Sequence, residues 1–312
     1  MTKLKSVTRT QGNNAALKDG TVKPRTMRRN AAINGSTSTK SNSKVRGAEF
    51  DICEMAITTY ICARAHGKPM TAIPVFLVRA FHHGAILASP KAGIRTPKDL
   101  EGKRVGVNRG YTVTTGVWAR GVLQQEHGVD LSRITWVLSG DEHVAEYRPP
   151  ANVVPIEPGK KMEDMLLSGE LAAAIGVDVK SPDVKPLIPN ALEAGLAALR
   201  RSGHYPINHT VVIRNELIAA HPELAADVFD AFARSKRVYL DRLQAGAIDK
   251  PTEVDNVHRR VMEITGDPLP YGIAPNRHVI EALIGHALTQ GIITRPVTAE
   301  ELFAPSMREL VG

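Results

Sequence analysis

Apolar and polar positions along this chain fall into short runs whose period switches between that of a strand and that of a helix. TAIPVFLVRAFHHGAIL, residues 71–87, reads as a strand, and so do RITWVLSG and YPINHTVVIR. KDLEGKRVGVNRG predicts a short helix, a turn and a strand, and KKMEDMLLSGELAAAIGV a helix leading into a short buried strand. TVTTGVWARGVLQQEHG predicts a helix with threonines at its start, Val113, Val117 and Trp118 falling near helical spacing on one face. DICEMAITTYICARAHG is apolar over enough positions to predict a helix ending at Gly67. From PELAADVFDAFARSKRVYLDRL onward the pattern is mostly helical. Alternating strands and helices predict an α/β fold with helices packed on mainly parallel sheets, and there are too many elements for one small sheet. RNAAINGSTSTKSNSK, residues 29–44, follows neither period and is expected to be a flexible loop or insert.

Several of these elements carry candidate chemistry. If His82 and His83 lie in a strand, their imidazoles point to opposite faces. In GVNRGYTVTTG a strand, Gly110 and a threonine-rich helix start present free N–H groups, hydroxyls and the positive end of a helix dipole. Such a corner suits a carboxylate or phosphate, with Arg109 adding a charge-assisted bond. The plainer alternative is that Thr112 or Thr114 only caps the helix. Asp141, Glu142 and His143 follow directly on a strand, where open α/β sheets place ligands, although acidic residues there are also ordinary loop residues. His209 lies in a β-branched run, a common setting for a core histidine. The four histidines lack metal-ligand spacing, so no metal is expected. Neither a dinucleotide glycine triad, a Walker loop nor a nucleophile elbow is present.

Composition narrows the choice. The chain has 312 residues, 43% of them apolar, and a formal charge of +8. Of its 40 Lys and Arg, 11 lie in residues 1–46 against one acid, Asp19, so the remainder carries 29 basic and 31 acidic residues. The basicity belongs to one end, and that end has no aromatic residue to stack on bases, so no nucleic-acid partner is expected. No apolar run approaches a membrane span or a signal-peptide core, and a cytoplasmic chain without a membrane partner is expected. The oligomeric state stays open, a homo-oligomer included. Cys53 and Cys62 match no redox or zinc motif and read as buried structural residues.

Taken together, GVWARGVL, GVDLSRITWV, MLLSGELAAAIGV, SGHYPINHTVVIRNEL and DPLPYGIAPNRHVIEALIGHALTQGIITRPVTAEELFAP resemble the 4,5-dihydroxyphthalate decarboxylase family, from about Glu49 to Pro305. That resemblance implies the two-lobed type 2 periplasmic-binding-protein fold: mixed sheets flanked by helices, two crossover strands and a ligand cleft between lobes. Lobe one would be residues 1–92 with 207–312, lobe two 93–206, and HHGAIL and NHTVVI would be the crossovers, putting both histidine stretches at the cleft. The segment 29–44 would stand where the fold supplies its second strand. His83 and His209 match family histidines, His82 stands where arginine is usual, and Asn208 replaces an apolar residue.

The implied activity is cofactor-independent decarboxylation of a hydroxylated aromatic acid. His83 is the expected general acid with Glu142 or His143 as partner. Arg79, His82, Arg109, Tyr111, Asn208 and the helix start with Thr112, Thr114 and Thr115 are expected to bind substrate, and His209 to bond a ring hydroxyl. The same fold serves solute-binding proteins of transporters, so capture of a small aromatic carboxylate is the competing reading, and an inactive or regulatory relative a third.

Overall fold

The computed structural model describes residues 4–25, 33–35 and 50–312. Residue contacts divide the chain into two compact units. The first comprises Met1–Arg79, Ile207–Glu281 and Val297–Gly312, the second Ala80–Pro206 and Ala282–Pro296.

The first unit is built on a five-stranded sheet in the order Ile33–Gly35, Ser6–Thr8, Ile52–Ala56, Ile207–Arg214, Met70–Arg79. The first three strands run parallel, and Ile207–Arg214 is antiparallel to both of its neighbours. The β-branched run of Val211, Val212 and Ile213 suits a strand buried in mid-sheet. Along Met70–Arg79 the register shifts on either side of His209, an irregularity of the kind that re-aims a side chain. The helix Leu224–Gln244 packs on this sheet, and its Val228, Phe229 and Phe232 are buried at helical spacing.

The second unit has a six-stranded sheet in the order Lys185–Pro186, Ile86–Ala88, Ala173–Ile175, Arg104–Val107, Thr135–Leu138, Val153–Pro155. The last four strands are parallel, and Ile86–Ala88 runs against Ala173–Ile175. Val137, Met162, Met165, Leu166, Leu171 and Ala174 form one core cluster. The helix Thr114–His127 ends at Gly128, which takes the left-handed conformation (φ 63°) and donates to Gln124 O while Val129 donates to Leu123 O.

Four expectations change. DICEMAITTYICARAHG is a strand, Ile52–Ala56, followed by the helix Ile57–Ala65, because the edge of Ile52–Ala56 is claimed by the ladders on either side. His82 and His83 lie beyond the strand, which stops at Arg79, and His83 opens a 3-10 turn, so strand alternation does not apply to them. The basic amino-terminal stretch contributes Ser6–Thr8 to the interior of the first sheet. Within the segment 29–44, Ile33–Gly35 pairs in parallel with Ser6–Thr8; the rest of that segment lies outside the described residues. By residue contacts the units divide after Arg79, and residues 282–296 group with the second unit. Cys53 and Cys62 are buried free thiols, and burial pushes the Cys53 thiol up to about 12. No helix among the described residues is long and apolar enough to cross a membrane.

Candidate functional site

In the first unit, Glu54 and His209 come from adjacent antiparallel strands. His209 is registered with Ala56 and Glu54 with Val211, which makes the two side chains diagonal neighbours on one face. His209 Nδ1 lies 2.5 Å from Glu54 Oε1. Burial pushes the Glu54 carboxyl up, but the hydrogen bond of His209, the charge His209 carries whenever it is protonated, and the backbone N–H and charge of Arg9 more than offset it and hold the group below the usual range. Glu54 is therefore a carboxylate, which only accepts, and the imidazole must donate Nδ1–H to it. Arg9 Nη2 lies 3.2 Å from His209 Nε2. A guanidinium only donates, so Nε2 is the accepting nitrogen and the tautomer is settled from both sides. The Glu54 side chain is 5% exposed and that of His209 14%, which leaves the pair an outlet to solvent.

In the second unit, His83 Nε2 meets Glu126 Oε1 at 3.0 Å, and Arg201 Nη2 holds the other carboxylate oxygen at 3.1 Å. Burial raises the Glu126 carboxyl while the His83 hydrogen bond and charge and the Arg201 charge lower it, with a net downward shift. Among the described residues, the buried His83 Nδ1 has no hydrogen-bond partner. His83 is thus a second imidazole paired with a carboxylate, in the opposite tautomer. Its partner is Glu126, at the end of the helix Thr114–His127, and not the expected Glu142 or His143.

The expected anion corner forms, but the chain fills it. Tyr111 N–H donates to Glu142 Oε1, and Thr112 gives Glu142 Oε2 its N–H at 3.3 Å and its hydroxyl at 2.8 Å. The carboxylate lies so close to Gly110 that a Cβ there would come within 2.7 Å of Glu142 Oε2. Val113 is the cap residue, and no side chain caps this helix, so neither Thr112 nor Thr114 takes that role. Behind the corner stands Arg120, fully buried. Its Nη2 donates to Tyr111 O at 2.7 Å, its Nε to Gln290 Oε1 at 2.8 Å, and its guanidinium lies 3.7 Å from the Tyr111 ring centroid.

The remaining expected residues belong to both units. Arg79 is buried, donating to Asn276 Oδ1 and to Pro270 O at 3.1 Å and lying over the Phe76 ring. His82 is buried and its carbonyl accepts from Ala85 N–H. Asn208 and Thr114 are buried, while Thr115 and His143 are half-buried. Arg109 is exposed, with φ 71° and its N–H on Ser139 Oγ at 2.8 Å; a non-glycine residue held in that region marks local strain. Among the described residues no group of three His, Cys, Asp or Glu is arranged to hold a metal ion. Glu54, Arg9, Glu126 and Arg120 carry the pairings that the sequence reading missed.

Comparison with known proteins agrees with this architecture. A family described as NMT1/THI5 like matches residues 34–148. Among solved structures, the periplasmic aliphatic sulphonate binding protein of Escherichia coli aligns with a TM-score of 0.54 at 10% identity, covering 98% of this chain and 99% of that one. The alkanesulfonate-binding protein of Xanthomonas axonopodis pv. citri aligns with a TM-score of 0.51 at 14% identity over 96% of each. At such identities the likeness is one of fold, and it is the expected periplasmic-binding-protein fold. A 4,5-dihydroxyphthalate decarboxylase of Pseudomonas putida is 40% identical over 140 residues, 42% of this chain and 54% of that relative. The enzyme of the same name from Comamonas testosteroni is 33% identical over 281 residues, covering 85% of both chains, and the chain belongs to the 4,5-dihydroxyphthalate decarboxylase family.

Proposed function

We propose that this chain is a carboxy-lyase that removes one carboxylate from a dihydroxylated aromatic diacid such as 4,5-dihydroxyphthalate, a step in the breakdown of aromatic acids. The observation that carries the reading, beside family membership, is the His209–Glu54 pair, an imidazole whose Nδ1–H is fixed on a carboxylate and whose Nε2 is left as the accepting nitrogen.

The chemistry asks for that nitrogen. In 4,5-dihydroxyphthalate each carboxylate has a hydroxyl para to it. Removing the hydroxyl proton pushes electron density to the ring carbon that carries the carboxylate, and a proton added there breaks the aromaticity. The carbon–carboxylate bond then cleaves, its electron pair returns to the ring, and CO₂ leaves, so the net change is one proton taken up at carbon for each CO₂ lost. The catechol is its own electron sink and no organic cofactor is demanded. His209 takes the hydroxyl proton through Nε2, and the Glu54 carboxylate stabilises the imidazolium that results. The ring proton falls to His83 in its imidazolium form: Glu126 holds Nε2–H, and Nδ1, which has no partner among the described residues, takes a proton from water and passes it to the ring carbon.

The test is to incubate purified protein with a panel of hydroxylated aromatic acids, 4,5-dihydroxyphthalate first, and to follow CO₂ release alongside thermal stabilisation. CO₂ released in step with formation of 3,4-dihydroxybenzoate is expected. The binding-protein fold supports a second reading, capture of an aromatic carboxylate without chemistry; stabilisation with no CO₂ from any member of the panel would establish that reading instead.

A further inference from the structure

We propose that Arg9 selects carboxylate-bearing substrates at the His209–Glu54 pair: its guanidinium covers His209 Nε2 and is drawn away by a substrate carboxylate. The inference rests on the reading in which His209 exchanges a proton with the substrate.

The argument begins with how Arg9 is held. It follows the strand Ser6–Thr8 directly, and its backbone N–H donates to Glu54 Oε2 at 2.8 Å. The main chain is thereby tied to the same carboxylate that orients His209, while the side chain is 59% exposed. Its Nη2 reaches His209 Nε2 at 3.2 Å and its Nε lies 3.7 Å from Glu54 Oε1. The nearby cation Lys18 is differently placed: it is half-buried, with Nζ on Thr8 O at 2.6 Å and Thr10 Oγ1 at 3.1 Å. Of the two cations beside the pair, Arg9 has its backbone fixed and its head group toward water.

The Arg9 contact is incompatible with base catalysis as it stands. A lone pair that accepts from a guanidinium cannot take a phenolic proton, so Arg9 must leave before Nε2 acts. A carboxylate is the ligand that removes it best, because a guanidinium binds carboxylate through two parallel charge-assisted bonds and an imidazole through one neutral acceptor. The exchange also changes the charge at the pair. Once the guanidinium turns to the substrate carboxylate, Nε2 faces the substrate without that cation on it. A diacid therefore recruits Arg9 with one carboxylate and finds the base uncovered.

The experiment uses phthalate, which has both carboxylates but no hydroxyl to drive turnover, and catechol, which has the hydroxyls alone. Affinities for each are measured by calorimetry on the wild type, Arg9→Lys and Arg9→Gln, and the ¹⁵N resonance of His209 Nε2 is followed in the same samples. Phthalate is expected to bind Arg9→Gln at least about tenfold more weakly than wild type, with Arg9→Lys between them and catechol affinity unchanged. Phthalate should shift the wild-type Nε2 resonance toward that of a free acceptor nitrogen, a position Arg9→Gln occupies from the start. Equal phthalate affinity in wild type and Arg9→Gln overturns the proposal. So does an Nε2 resonance indifferent to phthalate, or an absence of phthalate binding to the wild type. Failure of the decarboxylase reading looks different: no CO₂ from any aromatic acid, with the Arg9 dependence of phthalate binding intact.

Discussion

His209 and Glu54 sit diagonally across two antiparallel strands, and the imidazole Nδ1–H is directed at the carboxylate over 2.5 Å. The same carboxylate accepts the Arg9 N–H, so its charge holds the accepting tautomer of His209 in place from two elements. Glu54→Gln keeps the shape and removes the charge that stabilises a protonated imidazole. It is expected to lower kcat for 4,5-dihydroxyphthalate by about 10²-fold with little change in KM, the usual scale of a general-base contribution. Steady-state kinetics beside a thermal melt check it: kcat within threefold of wild type would remove the pair from the mechanism.

His83 and His82 are neighbours in sequence with different surroundings. Both are buried, but the orphaned Nδ1 and the Glu126 carboxylate belong to His83. His83→Ala is expected to reduce kcat by about 10² or more and Glu126→Gln by about tenfold, since the second change leaves the imidazole but loses its charge partner. His82→Ala should act chiefly on stability, by about 1–3 kcal/mol for emptying a buried polar position. Comparing kcat with urea midpoints for the three variants separates the roles, and a larger kcat loss in His82→Ala than in His83→Ala would reverse them.

Arg120 is a buried cation that faces a carboxylate through a peptide bond. Its Nη2 donates to Tyr111 O, and the N–H of the same peptide unit, that of Thr112, donates to Glu142 Oε2. Burial lowers the Arg120 guanidinium below its ordinary value, while the Tyr111, Tyr147 and Glu142 charges oppose that shift. Arg120→Met leaves Tyr111 O and Gln290 Oε1 without their donor and Glu142 without its counter-charge. A loss of about 3 kcal/mol in unfolding free energy is expected, the scale on which a buried charge network loses one member. Arg120→Lys cannot serve both acceptors in the same geometry and should recover less than half of it. A urea midpoint for Arg120→Met close to wild type would show that the network carries no stability.

Much of the frame is legible in the residues. Arg104–Val107, Thr114–His127, Thr135–Leu138 and Ile207–Arg214 follow their periods, and Gly128 marks the helix stop. Glu54 escaped because the apolar run from Ile52 to Ala63 contains no glycine or proline, so nothing in it separates strand from helix and the acid reads as one polar position on a helix. Arg9 escaped for a different reason: three residues of strand in a basic, polar stretch carry no periodic signal, and only pairing with Ile52–Ala56 makes them a strand. Glu126 was visible as a helix residue but 43 positions from His83, a distance that no local pattern bridges. The helix-start corner was read as a site for a ligand carboxylate. Its occupant is Glu142, which the sequence had suggested for proton transfer.

Two histidines outside these pairs make stability depend on pH. Burial drives the His258 imidazole down to about 4, with Asp255 opposing and Arg79 assisting, and burial with the His204 and Arg120 charges drives His286 to about 4 as well. In the unfolded chain both titrate near the ordinary 6.5. Between these values the unfolded chain binds protons that the folded one does not, so stability is full above about 6.5 and falls as the pH drops toward about 4. Each shift corresponds to about 3 kcal/mol if fully expressed. Glu54 and Asp255 are held below the usual carboxylate range and add their own losses lower down, as the pH falls through their depressed values. The histidine window is therefore separable. His258→Gln forfeits the contact between the imidazole Nδ1 and Tyr239 Oη at 2.9 Å and should be less stable at neutral pH. Its unfolding free energy should nonetheless decline less steeply than wild type between pH 6.5 and 4, and the same flattening is expected for His286→Gln in its own setting beside Trp118. Urea unfolding at half-unit intervals measures the slope, and a slope equal to wild type in both variants would mean that neither imidazole is neutral in the folded protein over that range.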